Sequence, residues 1–279
     1  MNHRGDCYDT TMSDIILENQ EGPIVVLTLN DPERANPLSS PLVEALSSAL
    51  ERAAAAGEVR AVVLCGAGRH FSAGADLEAL ERLAVGGDEG GARRDTERLR
   101  DLFEILLGHP KLTVAAVHGA AVAGGCGLAT ACDFVVAEPG ARFAYTEVKI
   151  GFLAAMVLTF LTRRVPGHVA RRLLLDPEMI DGDRAVALGL ADQLAAEGAG
   201  RETAIALARS VCSKASPSAL SATKALLNAT VGLDWREALT IAVEANVRQR
   251  QEPDCVRGVR TFLETKTTPD WLEDQGDGE

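Results

Sequence analysis

The chain has 279 residues, 47% hydrophobic and 24% charged, which suffices for one large packed domain and excludes a disordered composition. Its formal net charge of −12, with no compact Lys/Arg block, excludes nucleic-acid and anionic-membrane partners but allows a small anionic ligand held by a few local cations. Residues 1–11 show no apolar stretch of the signal-peptide kind, and no apolar run reaches the ~18 residues of a membrane span, so a cytoplasmic setting is expected.

Residues 1–13 read as a flexible extension. Ile15–Leu17 and Ile24–Leu29 are predicted strands joined by a turn at Glu21-Gly22-Pro23. Asn30–Ser39 is a proline-punctuated loop, and Ser40 with Pro41 behind it opens an amphipathic helix to about Ala56. Ala61–Cys65 is a strand of the buried type, followed by the glycine-bearing loop Gly66–Ala75, and Asp76 is placed to cap the next helix. Gly86–Gly91 is the most flexible-looking internal stretch, and a helix is predicted over Thr96–Leu107. Leu112–Val117 is a further buried strand, running through Gly119–Gly127 into an apolar helix that ends near Cys132, and Phe134–Ala137 returns as a strand. This alternation predicts an α/β core over residues 14–200. Apolar spacing near 3.6 over 201–214, 217–230, 234–250 and 254–265 predicts a helical C-terminal region, 201–279, packed on the core or on a neighbouring subunit.

The six cysteines include no C-x-x-C pair, which points to free thiols in a reducing compartment. The five histidines are scattered without ligand spacing, so no metal site is expected. Gly66-Ala67-Gly68 lacks the third glycine of a dinucleotide loop, no glycine loop is followed by the Lys-Ser/Thr of a P-loop, and Ser72 has no G-x-S-x-G frame.

Two strand-to-helix junctions are built from small residues: Phe71-Ser72-Ala73-Gly74-Ala75-Asp76-Leu77 and His118-Gly119-Ala120-Ala121-Val122-Ala123-Gly124-Gly125-Cys126-Gly127. Small residues allow the backbone to approach a ligand, and a helix start leaves N–H groups unpaired. Two such groups aimed at one point form an oxyanion hole. Tight packing of helix on strand explains the same composition equally well.

The segments LTLNDPERANPLS, HFSAGADL, AAVHGAAVAGGCGLATACDFVVA and FAYTEVKIG, in this order, resemble the signature segments of the crotonase (enoyl-CoA hydratase/isomerase) superfamily. DRAVALGLAD and RTFLETKTTPDW extend the likeness over about residues 14–272. The resemblance implies a spiral of β-β-α units with a C-terminal helical region that mediates trimers, which often pair into hexamers. It implies an enzyme, a lyase or isomerase, acting on acyl-CoA through a thioester enolate, with no cofactor beyond the CoA of the substrate. By position, the oxyanion donors are the N–H groups of Ala75 and Gly124, flanked by Ala73, Gly74, Asp76, Leu77, Gly125 and Gly127 as substrate-binding positions. Ala35, in the Asn30–Leu38 loop, and the Arg69–Ala73 segment fall where the family holds CoA. Phe262 and Lys266 fall near C-terminal positions that reach CoA, Lys266 displaced by one residue.

Hydratases of the family use two glutamates. The chain has Glu147 at the second position and Gly127 at the first. Double-bond isomerisation needs one carboxylate, so the pattern favours isomerase-like chemistry unless Glu78, Glu81 or Asp88 supplies the second. A catalytically silent acyl-CoA binder is the alternative, and a structural α/β protein is a third reading. Phe152, Leu153, Met156 and Phe160 are candidates for the acyl pocket, although the last three also fit a core stripe.

Overall fold

Apolar residues fill the predicted strands at all positions but Thr28 and Thr113, not at alternate ones, and the computed structural model, which describes residues 15–273, shows why. The extension expected over residues 1–13 lies outside the described residues. Strands β1 (Ile16–Glu21) and β2 (Ile24–Leu29) form a hairpin, and β3 (Pro37–Leu38) follows in the loop beyond it. Then come β4 (Ala61–Gly66), β5 (Gly74–Ala75), β6 (Leu112–Val117) and β7 (Ala120–Val122). The remaining strands are β8 (Phe134–Ala137), β9 (Arg142–Ala144), β10 (Ile180–Asp181) and β11 (Gln193–Leu194).

Six of them make one sheet in the order β1-β2-β4-β6-β8-β11, antiparallel only at the hairpin. Val25, Leu27, Val62, Leu64, Ala115 and Val117 face one hydrophobic cluster. Their neighbours Ile24, Val26, Val63, Val114, Ala116 and Val136 face the other. Both faces are covered, as parallel sheets require, and each fully buried Val or Leu stabilises the fold by roughly 1.5–3 kcal/mol.

Helices α1 (Ser40–Ala55), α2 (Leu77–Gly86), α3 (Glu89–Leu107) and α4 (Gly124–Ala131) follow their strands in turn. Of these, α1, α3 and α4 pack the first cluster through Leu42, Leu46, Leu102, Leu106 and Leu128. Next come α5 (Ala155–Arg164), α6 (Gly167–Leu175) and α7 (Gly182–Ala187). Helix α8 (Gly200–Lys214) covers the opposite face with Ala204, Ile205, Ala208 and Cys212. The short strands pair among themselves, β10-β9-β7 and β3-β5, so that β4-β5-α2, β6-β7-α4 and β8-β9-α5 repeat one β-β-α pattern.

Helices α9 (Pro217–Ala229), α10 (Trp235–Gln249) and α11 (Pro253–Thr265) have the predicted spans but bury no residue. Trp235, Leu239, Val243, Val259, Phe262 and Leu263 all stand exposed on the last two. The buried Arg60 guanidinium ties this region to the sheet by donating to Trp271 O at 2.5 Å and Ala215 O at 3.2 Å. Among the described residues no helix is long and apolar enough to cross a membrane.

Two element boundaries differ from expectation. Strand β1 runs on to Glu21, paired residue by residue with β2, because main-chain pairing carries it through the polar Glu18-Asn19-Gln20. Helix α3 starts at Glu89, not Thr96: Gly87 adopts φ 63° to close α2, and the Asp88 carboxylate caps α3 by accepting from Gly91 N at 2.8 Å. The glycines that read as flexible are a helix stop and a helix start.

Candidate active site

The loop Asn30–Ser39 is shaped by a residue that sequence reading passed over. Asn36, fully buried at φ 53°, donates through Nδ2 to Ala67 O (3.0 Å), His70 O (2.8 Å) and Phe71 O (3.2 Å). Its Oδ1 accepts from Asp31 N, and its carbonyl accepts from Ser72 Oγ at 2.7 Å. Asparagine tolerates the left-handed region, and here its amide adds to the short β3–β5 pairing between the two loops. The neighbouring Ala35, also left-handed at φ 61°, accepts from Ala73 N at 2.8 Å. One signal was present in the sequence: an Asn directly before Pro37 inside a loop.

These contacts bring the two small-residue junctions together. Gly74 sits at φ 86°, and a Cβ there would lie 2.5 Å from Val122 O and 3.1 Å from Gly124 N. A Cβ on Gly124 would lie 4.0 Å from Ala75 N. Gly124 is the first residue of α4, so its N–H has no intrahelical partner and stands at the positive end of the helix dipole. Gly74→Ala is expected to destabilise the fold by about 1–3 kcal/mol through its positive φ and to wedge β5 from α4. Denaturant unfolding and turnover measured together test this, and a variant of normal stability and activity would mean that the junction is slack.

Two cavities meet at this point. The inner one, about 390 Å³, runs from Ala75, Gly124 and Glu147 between α2, α3 and the start of α5. The outer one, about 510 Å³, shares Ala75, Asp76, Ala123, Glu147 and Phe152 with it and adds Arg34, Ala73, Leu77 and Lys149. Asp76 caps α2 by accepting from Ala79 N at 3.2 Å and pairs with Arg34 at 3.0 Å, which holds its carboxyl below the ordinary range against the opposing effect of burial.

Glu147 opens a 3-10 turn over Glu147–Ile150 that closes at left-handed Gly151. The residue is 8% exposed, and its Oε2 has no hydrogen-bond partner among the described residues. Burial raises its pKa above the ordinary carboxylate value. A buried acid with an unused oxygen at a cavity junction is placed to exchange a proton with a ligand.

Other expected site residues fall elsewhere. Gly127 does not line either cavity: a Cβ there would stand 2.6 Å from Val157 Cγ2 and 3.3 Å from Phe103 Cζ, so hydrocarbon occupies the space a side chain would need. Gly125 packs instead against Ser72, 2.5 Å from its carbonyl oxygen to a built Cβ. Glu78 faces the outer cavity beside Arg34, and Asp88, although on the inner one, is engaged as the α3 cap. Glu81 borders neither cavity. Leu153 and Met156 line the inner cavity, whereas Phe160 is buried against Phe103 with ring centroids 5.2 Å apart. Phe262 and Lys266 lie on and just after α11, outside both cavities of their own chain, because Lys266 at φ 62° caps α11 and donates to Leu263 O.

A family model described as enoyl-CoA hydratase/isomerase matches residues 19–274. The chain belongs to the enoyl-CoA hydratase/isomerase family. A Thermus thermophilus protein named "Putative enoyl-CoA hydratase" is 45% identical over 251 residues, 90% of this chain and 98% of that one. The 2,3-dehydroadipyl-CoA hydratase of Escherichia coli is 32% identical over 269 residues, 93% of this chain and 99% of its own. The enoyl-CoA hydratase structure from Mycobacterium smegmatis superposes with TM-score 0.84 at 30% identity, covering 92% of this chain and 98% of that chain. The fold is therefore that of the crotonase superfamily, and the protein is an enzyme of the hydratase/isomerase family. Gly127, which the family resemblance sets at the first hydratase glutamate, is packed on Val157 and Phe103.

Proposed function

We propose that the enzyme shifts the double bond of an enoyl-CoA by one-carboxylate proton transfer through an oxyanion-stabilised thioester enolate. The reading rests on one observation: Glu147 is a buried carboxyl with an unpartnered oxygen at the junction of the two cavities. Hydrocarbon at Gly127 adds support by leaving no second carboxyl opposite it. The outer cavity, with Arg34, Lys149 and the Ala35–Ala73 link, takes the CoA portion, and the inner cavity takes the acyl chain.

The thioester oxygen is assigned to the N–H groups of Ala75 and Gly124. The ionised Glu147 removes a proton from C2 of a 3-enoyl-CoA, and the electron pair moves onto the thioester oxygen as a dienolate. The two N–H groups and the α4 dipole stabilise that charge where it develops. Glu147 then returns the same proton to C4 and the carbonyl reforms, leaving the conjugated 2-enoyl-CoA. No water is consumed, and no cofactor is needed beyond the CoA of the substrate.

Hydration is the second reading, favoured by the names of the relatives. Panels of 3-enoyl-CoA and 2-enoyl-CoA separate the two: isomerisation with little hydration supports the proposal, and rapid hydration overturns it. Tight acyl-CoA binding without either reaction would indicate a silent binder. Because Glu147 acts as a base, kcat/KM is expected to rise with pH through an apparent pKa above the ordinary glutamate value, since burial disfavours the ionised form. A profile flat from pH 5 to 9 would count against Glu147 as the titrating group.

The exposed apolar side chains of α10 and α11 suit a homotrimer or hexamer, in which Phe262 and Lys266 would meet a neighbouring subunit. A reducing, cytoplasmic setting suits the five cysteines that are free among the described residues.

A further inference from the structure

Helix α2 leads away from Ala75 and α3 returns toward Phe103, so positions along this hairpin order the inner cavity from its reacting end outward. Beside Glu147 the walls are Leu38, Val43, Phe103 and Val157, all buried. One turn earlier on α3 stands Leu99, and α2 contributes Leu80 and Leu83; these three are half-buried. Past Leu99 the wall turns polar, where Ser40 Oγ donates to Asp95 and accepts from Arg98. At the turn between the helices Gly87, Asp88 and Glu89 are exposed. A Cβ built on Gly86 or Gly87 would meet nothing within 4 Å among the described residues, so this end is open to water.

Helix α2 is short of packing partners. It has ten residues and buries none of them, and Leu80 and Leu83 belong to neither hydrophobic core cluster. Leu83 leans on the start of α3, where a Cβ on Gly91 would stand 2.8 Å from its Cδ2. The apolar side of α2 otherwise faces the cavity, directly after the Ala75 N–H assigned to the thioester oxygen. A helix of this length draws its stability from what covers its apolar side. Hydrocarbon entering from the Ala75 end covers that side, because the cavity is continuous from Glu147 to Leu83.

We infer that this hairpin makes the enzyme selective for acyl chains of medium and greater length. Leu80, Leu83 and Leu99 form the middle of a hydrocarbon channel that grips the carbons beyond the reacting ones, and its open end sets no upper limit on length. This rests on the proposed assignment of the inner cavity to the acyl chain. A four-carbon acyl group stops among the buried walls and leaves the three leucines uncovered. A medium chain covers them and completes the packing of α2. Carbons beyond that pass Gly87 into water, where they neither gain burial nor clash.

Calorimetric binding of saturated acyl-CoAs of four, eight, twelve and sixteen carbons tests the inference without depending on turnover. A fully buried methylene tightens binding about fourfold, so half-exposed walls should still give at least about tenfold from four to eight carbons. From twelve to sixteen carbons the affinity should change by less than about threefold, since those methylenes stay in water. Leu83→Ala is expected to shrink the gain from four to eight carbons several-fold. Thr96→Leu, which extends the hydrocarbon wall at an exposed helical position, should tighten the twelve-carbon ligand several-fold and leave the four-carbon one unchanged. Thermal unfolding is the control for folding of both variants. Amide exchange across α2 should slow with the eight-carbon ligand and not with the four-carbon one. Tightest binding at four carbons, a loss of tenfold or more beyond eight, or a length dependence unmoved by both folded variants overturns this inference and leaves the proposed reaction standing. So does exchange at α2 that follows protein concentration instead of chain length, which would give this face to a second copy of the chain. Failure of every acyl-CoA to bind overturns the proposed function and this inference with it.

Discussion

Glu147→Gln is expected to lower kcat on the true substrate by about 10²- to 10⁴-fold, the usual contribution of a general acid or base, and to raise the melting temperature at neutral pH. Both effects come from the same burial. Glu147 is 8% exposed with one carboxyl oxygen unpartnered, and its pKa lies above the ordinary value because the charged form is poorly solvated. A carboxyl whose folded pKa exceeds its unfolded pKa binds more protons in the native state between the two values, so stability falls as pH rises through that window. Above it the native state carries the full cost of burying the charge, which glutamine does not. Below the unfolded pKa both states are protonated and the pH-dependent difference between enzyme and variant vanishes. The measurement is a paired one, steady-state kinetics beside thermal unfolding at pH 4 and pH 8. Unchanged turnover would remove Glu147 from the mechanism, and a variant less stable at pH 8 would mean that its charge is held by favourable contacts.

The part of this arrangement legible in the sequence was what repeats or what is local. Strands apolar at nearly every position announced a sheet buried on both faces, and Asp76 before an amphipathic run announced a helix cap that forms as read. The family likeness placed Glu147, Ala75 and Gly124, and these three do line one cavity. What escaped depends on partners far away in the chain. Asn36 became a hub only because Ala67, His70 and Phe71 turn their carbonyls toward it. Asp95 fell just outside the helix read over Thr96–Leu107, and the meeting of Asp95 and Arg98 with Ser40 spans more than fifty positions. Gly127 stood out as a departure, but a glycine announces only that a side chain is absent. That its neighbours are Val157 and Phe103, not a water-holding pocket, needed the fold.

That packing makes the Gly127 position testable in both directions. Gly127→Glu is expected to destabilise the protein by at least about 3 kcal/mol, since overpacking a core costs typically 1–3 kcal/mol and a buried unpaired charge several more. The Cβ alone would stand 2.6 Å from Val157 Cγ2, a β-branched side chain with little freedom to turn away. Adding Val157→Ala removes that methyl and opens a path for the new carboxyl toward the inner cavity, whose wall Val157 forms. The double variant should recover part of the lost stability and gain hydration of 2-enoyl-CoA at least about tenfold over the parent, a fraction of what a second general acid–base normally supplies. Val157→Ala alone separates the effect of the added space from that of the added carboxyl: it should be destabilised as a cavity variant and gain no hydration. If the double variant folds, binds acyl-CoA and still hydrates no better than the parent, then the lack of a second carboxyl is not what limits hydration, and the obstacle lies in how the cavity admits or orients water.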